Sequence, residues 1–232
     1  IIKYKGYSFI NILGLTLGMT CCILIMFWVY NEWSYNRFHE KKNEIFRVYD
    51  EVVYSNGQTR LSAASHYPLK NFIKSNCPDV LEAVRFATRS RNIRYGEDVF
   101  QENAGFADSG FLEMFTFSLI EGDPATALSE PFSIVISEEV SRKFFGTESS
   151  LGKILKMNST NSFDAKVTGV FKQIPKESDL QFSVLLPFRL IQWPNNVDEN
   201  GWGGNPLETY VLLNKNSSYR EVAEKLTAAL ES

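Results

Sequence analysis

Hydrophobic and polar positions follow two regimes along this chain. From Phe9 to Tyr30 it reads FINILGLTLGMTCCILIMFWVY, with no Lys, Arg, Asp, Glu or His. As a helix rising about 1.5 Å per residue, this stretch reaches about 33 Å, enough to cross the hydrocarbon core of a bilayer. Leu, Ile, Phe and Val fill half of its positions. At about −0.3 to −0.6 kcal/mol each on an insertion scale, they outweigh the single Asn11 near one end. Beyond residue 31 the apolar positions recur with the shorter periods of a packed, water-facing domain.

In that second regime, Ile45 to Tyr54 reads as a strand. Phe46, Val48, Val52 and Tyr54 share one face and Arg47, Tyr49 and Glu51 take the other, with a turn at 55–57. A short helix over 68–76 sets Leu69, Phe72 and Ile73 on one side, with Pro68 in its first turn and Pro78 past its end. Residues 80–88 and 94–100 read as two strands. Asp108 is placed to cap a short helix over 111–115. Gly122, Asp123 and Pro124 mark a turn, and 132–136 is a short buried strand. Ser137 caps the helix that follows, which faces Val140 and Phe144 inward and closes at Gly146. Strands are predicted at 163–171, 182–186 and 209–213, a loop at 192–206, and a final helix at 218–230. The last carries an apolar stripe of Tyr219, Val222, Ala223, Leu226 and Leu230.

The pattern predicts an α+β protein: one N-terminal transmembrane helix, then an extracytoplasmic domain of mostly antiparallel strands with two helices on one side. Residues 1–31 form the cytoplasmic start and the membrane helix, and 32–232 the outer domain. That domain divides into an outer part, about 40–89 and 161–232, and an inserted subdomain, about 90–160.

Charge orients the helix. Lys3 and Lys5 precede it and Glu32 follows, so the positive-inside rule puts the N-terminus in the cytoplasm and residues from about 32 outside, a single span of the inner membrane. A cleaved signal peptide would have a shorter apolar core ending in small residues. Here the stretch runs into Trp28, Val29, Tyr30, Asn31, Glu32 and Trp33. Gly14 and Gly18 form a GxxxG that Cys22 extends by a turn, a face suited to a second helix, although glycine is also common in membrane helices. Trp33, Tyr35 and Phe38 lie where the helix leaves the bilayer.

Outside the first 31 residues, 22 of the 24 basic residues face all 27 acidic ones, a net of −5. That argues against a nucleic-acid partner. Cys21 and Cys22 lie in the apolar stretch, leaving Cys77 alone beyond it, so cysteine builds neither a disulfide nor a metal site there. His39 and His66 belong to no HExxH pattern. Ser150 and Lys153 spell SxxK, but SDN and KTG are absent, and a polar turn is the simpler reading. Gly201, Gly203 and Gly204 lack the strand and helix that a phosphate loop needs. No cofactor, metal or catalytic residue is expected, and the chain reads as a non-catalytic membrane subunit.

Several stretches resemble the FtsX-like, or MacB-like, permeases of ABC transporters, in the version common in Bacteroidetes. They are INILGLTLGMTCCILI at 10–25, NEWSYNRFH at 31–39, IFRV at 45–48, FLEMFTFSLIEGDPATAL at 111–128, PFSIVISEEVSRKFFG at 131–146, LGKIL at 151–155 and VTGVFKQIPKESDLQF at 167–182. They keep their order over most of the chain. Asn36 stands where the family pattern suggests Asp, and 192–206 has no counterpart in it. The resemblance implies a porter-like outer layer with an inserted small subdomain, and three further transmembrane helices in a longer protein. It implies a cytoplasmic ABC ATPase on a separate chain, a homodimer or a pseudo-dimer of permease halves, and a periplasmic adaptor. It also implies mechanotransmission: ATP-driven helix movement reshapes the outer domain to drive export or efflux. Membrane-exit coupling would fall to Glu32, Trp33, Tyr35 and Phe38, and helix packing to Gly14, Gly18 and Cys22. The residues by themselves also fit a membrane-anchored extracytoplasmic sensor or ligand-binding domain.

Overall fold

The computed structural model describes residues 5–34, 38–53, 56–158, 162–192, 195, 200–202 and 207–230. The chain falls into two compact units, Ile1–Arg37 with Pro175–Asp179, and Phe38–Ile174 with Leu180–Ser232.

The first unit is built on helix α1, Lys5–Ser34. Its apolar part, Gly6–Tyr30, is 25 residues long and carries no buried residue among the described ones. At about 1.5 Å per residue it measures about 37 Å, a membrane-spanning length.

The second unit is α+β. Its elements in order are β1 (Ile45–Arg47), β2 (Asp50–Val53), β3 (Thr59–Ser62), α2 (Leu69–Asn76), β4 (Val80–Tyr95), β5 (Asp98–Ala107), α3 (Phe111–Met114), β6 (Leu119–Glu121), β7 (Ser133–Ser137), α4 (Glu138–Phe145), β8 (Ile154–Asn158), β9 (Phe163–Phe171), β10 (Val184–Pro187), a 3₁₀ turn (Phe188–Gln192), β11 (Glu208–Leu213) and α5 (Tyr219–Leu230). Nine strands share one sheet in the order β1-β11-β4-β5-β10-β7-β9-β6, and β8 pairs with both β4 and β9. The path β4-β5-β10-β7-β9-β8 therefore returns to β4, and six strands close into a ring. Among the described residues only β10–β5 and β7–β9 are parallel. Strands β2 and β3 pair apart as a hairpin.

The sequence explains why two of the ring strands, β7 and β10, are buried on both faces. Along β7, Ile134 and Ile136 enter one apolar cluster and Val135 another; along β10, Val184 and Leu186 enter the first and Leu185 the second. Period-2 alternation between two buried faces gives continuous apolar runs rather than apolar–polar alternation. The first cluster also takes Val140, Phe144 and Phe145 of α4. The second is rich in phenylalanine: Phe111 stacks on Phe86, centroids 5.1 Å apart, and touches Phe115 and Phe117. Burying one such ring stabilises the fold by about 1.5–3 kcal/mol. A third cluster lies under the two helices α2 and α5, which cover β11 and the start of β4.

Helix α4 is bounded as expected. The Ser137 hydroxyl accepts from Val140 N–H at 3.2 Å, and Gly146, at φ +64°, ends the helix with its N–H on Arg142 O.

Other expectations change. The strand predicted at 45–54 is broken at Val48 and Tyr49 into β1 and β2, because Val48 N–H bonds Thr209 O while β2 turns away to pair with β3. Its end at Tyr54 lies outside the described residues. The strand predicted at 94–100 straddles a hairpin: Tyr95 pairs with Asp98, and the turn between them places Gly96 at φ +58°, a conformation that favours glycine. Asp108 does not cap α3, whose N-cap is Gly110 with no side-chain cap bond. Strand β4 runs from Val80 to Tyr95, and β9 and β10 both pair with β7. Of the α5 stripe only Val222 is buried.

Candidate coupling site

Within α1, two threonine hydroxyls turn back on the helix. Thr16 Oγ1 donates to Ile12 O at 2.7 Å and Thr20 Oγ1 to Thr16 O at 2.8 Å. Both polar groups are thereby satisfied in a segment that would meet lipid. A Cβ added at Gly14 or Gly18 would meet nothing within 4 Å, and Cys22 is exposed, so the face is open. Glu32 and Trp33, in the last turn, are exposed. Tyr35 and Asn36 lie outside the described residues.

The second unit begins with a strap, Phe38–Lys41, fastened to the end of α3. The His39 ring lies 3.9 Å from that of Phe38, and 5.2 Å, edge-on, from those of both Phe115 and Phe117. Glu40 N–H donates to Thr116 Oγ1 at 3.1 Å, and Lys41 Nζ to Glu113 O at 2.9 Å. The strap then turns into β1: Ile45 N–H bonds Lys41 O, and Leu213 N–H of β11 bonds Glu44 O. One short segment thus grips both α3 and the sheet edge.

His39 is 3% exposed, and neither ring nitrogen has a hydrogen-bond partner among the described residues. Burial lowers the imidazole from 6.5 to about 4. The sign follows from comparing folded and unfolded chains. Between those two values the unfolded chain binds the extra proton, so the contribution of His39 to stability is complete above about pH 6.5 and is lost progressively as pH falls toward 4, on the order of 3 kcal/mol in all. In urea titrations of the full chain, His39→Phe is expected to flatten the fall in midpoint between about pH 6.5 and 5, a range above ordinary carboxylates. An unchanged slope in the variant would contradict the buried neutral ring.

Behind the strap, α3 is anchored by a buried ion pair. Arg85 of β4 donates through Nε to Asp108 Oδ2 at 3.0 Å and through Nη2 to Oδ1 at 2.9 Å; its backbone N–H reaches Oδ2 at 2.8 Å. Lys70 Nζ lies 3.1 Å from Oδ2. The Arg85 guanidinium also sits 4.3 Å from the Phe188 ring centroid. Burial alone would raise the Asp108 carboxyl, but the Arg85 hydrogen bonds and the Lys70 and Arg85 charges outweigh it and hold the group below its usual range. Asp108 O accepts from Phe111 N–H, so the pair fixes the start of α3, while the strap holds its end.

The remaining chemical candidates have structural partners. Ser150 is buried, its hydroxyl 2.6 Å from that of Ser141, and Lys153 pairs with Glu148. Cys77 is buried. Among the described residues no three His, Cys, Asp or Glu side chains gather as a metal group. Gly203 and Gly204 lie outside the described residues. The sequence assigns Phe38 to the membrane exit; the structure places its ring against His39 and Phe117 in the second unit. His39, Thr116, Arg85 and Asp108 were not legible, because their roles depend on contacts between segments 23 to 78 residues apart.

The sequence profile of the MacB-like periplasmic core domain matches residues 8–229. A permease-protein domain from Porphyromonas gingivalis is 25% identical, with a TM-score of 0.72, over 84% of this chain and 83% of that one. The periplasmic region of MacB from Actinobacillus actinomycetemcomitans, 14% identical, has a TM-score of 0.57 over 81% of this chain and 83% of its own. The extracellular domain of the noncanonic ABC-type transporter YknZ from Gram-positive bacteria, 20% identical, has one of 0.54 over 73% and 83%. The last two share the fold. An uncharacterized lipoprotein, RP108, of Rickettsia prowazekii is 28% identical over 105 residues, which are 45% of this chain and 8% of that protein.

Proposed function

The chain belongs to the MacB-like periplasmic core domain family of ABC-transporter permeases, and on that premise we propose that it couples helix movement to an outer domain that drives export. A cytoplasmic ATPase on a separate chain supplies the work, and this chain is a non-catalytic subunit. It sits in the inner membrane with its N-terminus in the cytoplasm and residues from about 32 in the periplasm. Two permease halves, in a homodimer or a pseudo-dimer, bring their helices together, with Gly14, Gly18 and Cys22 as the packing face. A periplasmic adaptor extends the path.

The observation that supports coupling is the strap. The chain leaves α1 through Glu32 and Trp33 and within a few residues is fastened to Glu113 of α3 and to the segment 115–117 just after it by two hydrogen bonds and a ring cluster. Force along α1 then reaches two places: the sheet edge through β1, and β4 through α3, Asp108 and Arg85. Aromatic contacts of this kind are worth about 0.5–1.5 kcal/mol each. In the whole transporter with its ATPase, Trp33→Ala with Phe38→Ala is therefore expected to lower ATP-driven export by about tenfold, at unchanged membrane level. Export equal to the wild type would refute this route.

A further inference from the structure

Strand β4 has one interrupted edge. On one side it pairs with β5 from Phe86 to Tyr95. On the other, β11 pairs with Val80 to Phe86 and β8 with Asn92 to Arg94. The sheet forks between them, and among the described residues 87–91 have no neighbouring strand on this side, an open edge of about 16 Å. Backbone groups of an antiparallel strand point alternately to its two neighbours. Asp108 N–H bonds Arg85 O on the β5 side, so the odd-numbered residues turn to β5, and Thr88 and Ser90 turn to the open edge. Neither N–H has an acceptor among the described residues. Ser90 is exposed and Thr88 half-buried, so the edge is within reach of solvent. Unpaired groups of this kind template the addition of a strand.

Two arginines stand at the same edge. Arg89 Nη1 donates to Thr88 O at 2.8 Å and Arg91 Nη1 to Ser90 O at 3.1 Å, so both guanidinium groups lie beside the carbonyls that face the opening. Arg91 Nη2 also reaches Ile191 O at 3.5 Å, and its guanidinium sits 5.3 Å from the Phe106 ring centroid. Both arginines are half-buried, and among the described residues neither forms an ion pair. Glu102, opposite Arg91 on β5, is taken by Lys143 Nζ and by Ser183 Oγ, each at 2.7 Å. Burial, and then the charge of Arg89, push the Arg91 guanidinium down. The two cations thus repel each other with no carboxylate to answer them.

We propose that this edge receives an extended segment of a partner protein as a short added strand, with acidic side chains at alternate positions. The segment's backbone accepts from the Thr88 and Ser90 N–H groups, a mode of recognition in which main-chain bonds give affinity and alternate side chains give specificity. Residues two apart share one face of a strand. Arg89 and Arg91 do so on β4, and an acid-x-acid segment presents two carboxylates at the same spacing. Each guanidinium has five N–H donors, so it keeps its carbonyl bond and still takes a carboxylate. A neutral strand leaves the two charges unanswered, and a free dicarboxylate leaves the backbone donors unmet. The inference is independent of the coupling reading, since strand addition needs neither an ATPase nor helix movement.

The test uses the full chain in lipid nanodiscs and the fluorescence anisotropy of a dye-labelled, end-capped peptide, Val-Glu-Thr-Glu-Val, with empty nanodiscs subtracted. This peptide is expected to bind at least about tenfold more tightly than Val-Gln-Thr-Gln-Val, and glutarate at the same concentration is expected to displace little of it. Arg89→Gln with Arg91→Gln is expected to weaken the glutamate peptide by about tenfold or more and to leave the glutamine peptide unchanged. Ser90→Pro removes one donor at a position that makes no ladder bond, so it is expected to weaken the peptide by about threefold to tenfold without moving the urea midpoint. Methylating the threonine nitrogen of the peptide removes a bond to the same edge and is expected to cost a similar factor, which keeps the test sound if Ser90→Pro disturbs β4. Equal affinity for the two peptides, displacement by glutarate as strong as by unlabelled peptide, indifference to methylation, or no binding by the unmodified chain overturns the proposal.

Discussion

Asp108→Ala is expected to cost the outer domain about 3–5 kcal/mol, the range for removing one partner of a buried ion pair. The loss is not mainly that of an attraction. Arg85 has a side-chain exposure of only 7% and cannot reach water without disturbing β4. Removing the carboxylate takes the counter-charge from a guanidinium that sits beside the Phe188 ring and 3.4 Å from the Tyr67 carbonyl. It also strips the acceptor from the Arg85 backbone N–H and the counter-charge from Lys70. Asp108→Asn keeps an acceptor and loses the charge, so its cost is expected to be smaller. Urea unfolding of the full chain in detergent, followed by near-ultraviolet dichroism, gives both values at pH 7. A cost below about 1 kcal/mol for Asp108→Ala would place the pair among surface bridges. The acid limb has a defined sign. Because the folded carboxyl is held below its ordinary range, its contribution is complete above about pH 4 and is lost as pH falls through the lower folded value.

Much of this architecture was legible before any coordinates. The uncharged run in α1 announces a span by length alone. Ser137 and Gly146 mark the ends of α4 because capping chemistry is local. The parity of Phe163–Phe171 matches β9, since one face of that strand is more buried than the other. What the sequence could not show depends on distant partners. The closed ring needs β8 to pair with both β4 and β9, and nothing in ILKMN at 154–158 names two neighbours. Asp108 looks like a helix cap because it stands three residues before Phe111, yet Arg85, 23 residues earlier, competes for its carboxylate with a bidentate bond and wins. His39 reads as a polar juxtamembrane residue; Phe115 and Phe117, 76 and 78 positions later, bury it. The α5 stripe points the other way: its period is that of a buried face, but the domain supplies too little surface to cover Tyr219 and Leu230.

The central claim of the proposed function is mechanical: motion of α1 is passed to the outer domain because only three residues of sequence, 35–37, separate α1 from a strap fastened at the end of α3. Interrupting the connection should then abolish transport while leaving both ends intact. Inserting about four Gly and Ser residues after Ser34 adds a flexible coil spanning about 11 Å to that link, which transmits little force. The strap contacts of His39, Glu40 and Lys41 remain available, as does the open face of Gly14 and Gly18. The measurement is ATP-driven export by the whole transporter reconstituted with its ATPase, with ATP hydrolysis recorded in the same vesicles. The account predicts that hydrolysis continues while export falls to background. Export at the wild-type rate through the flexible insertion would contradict it.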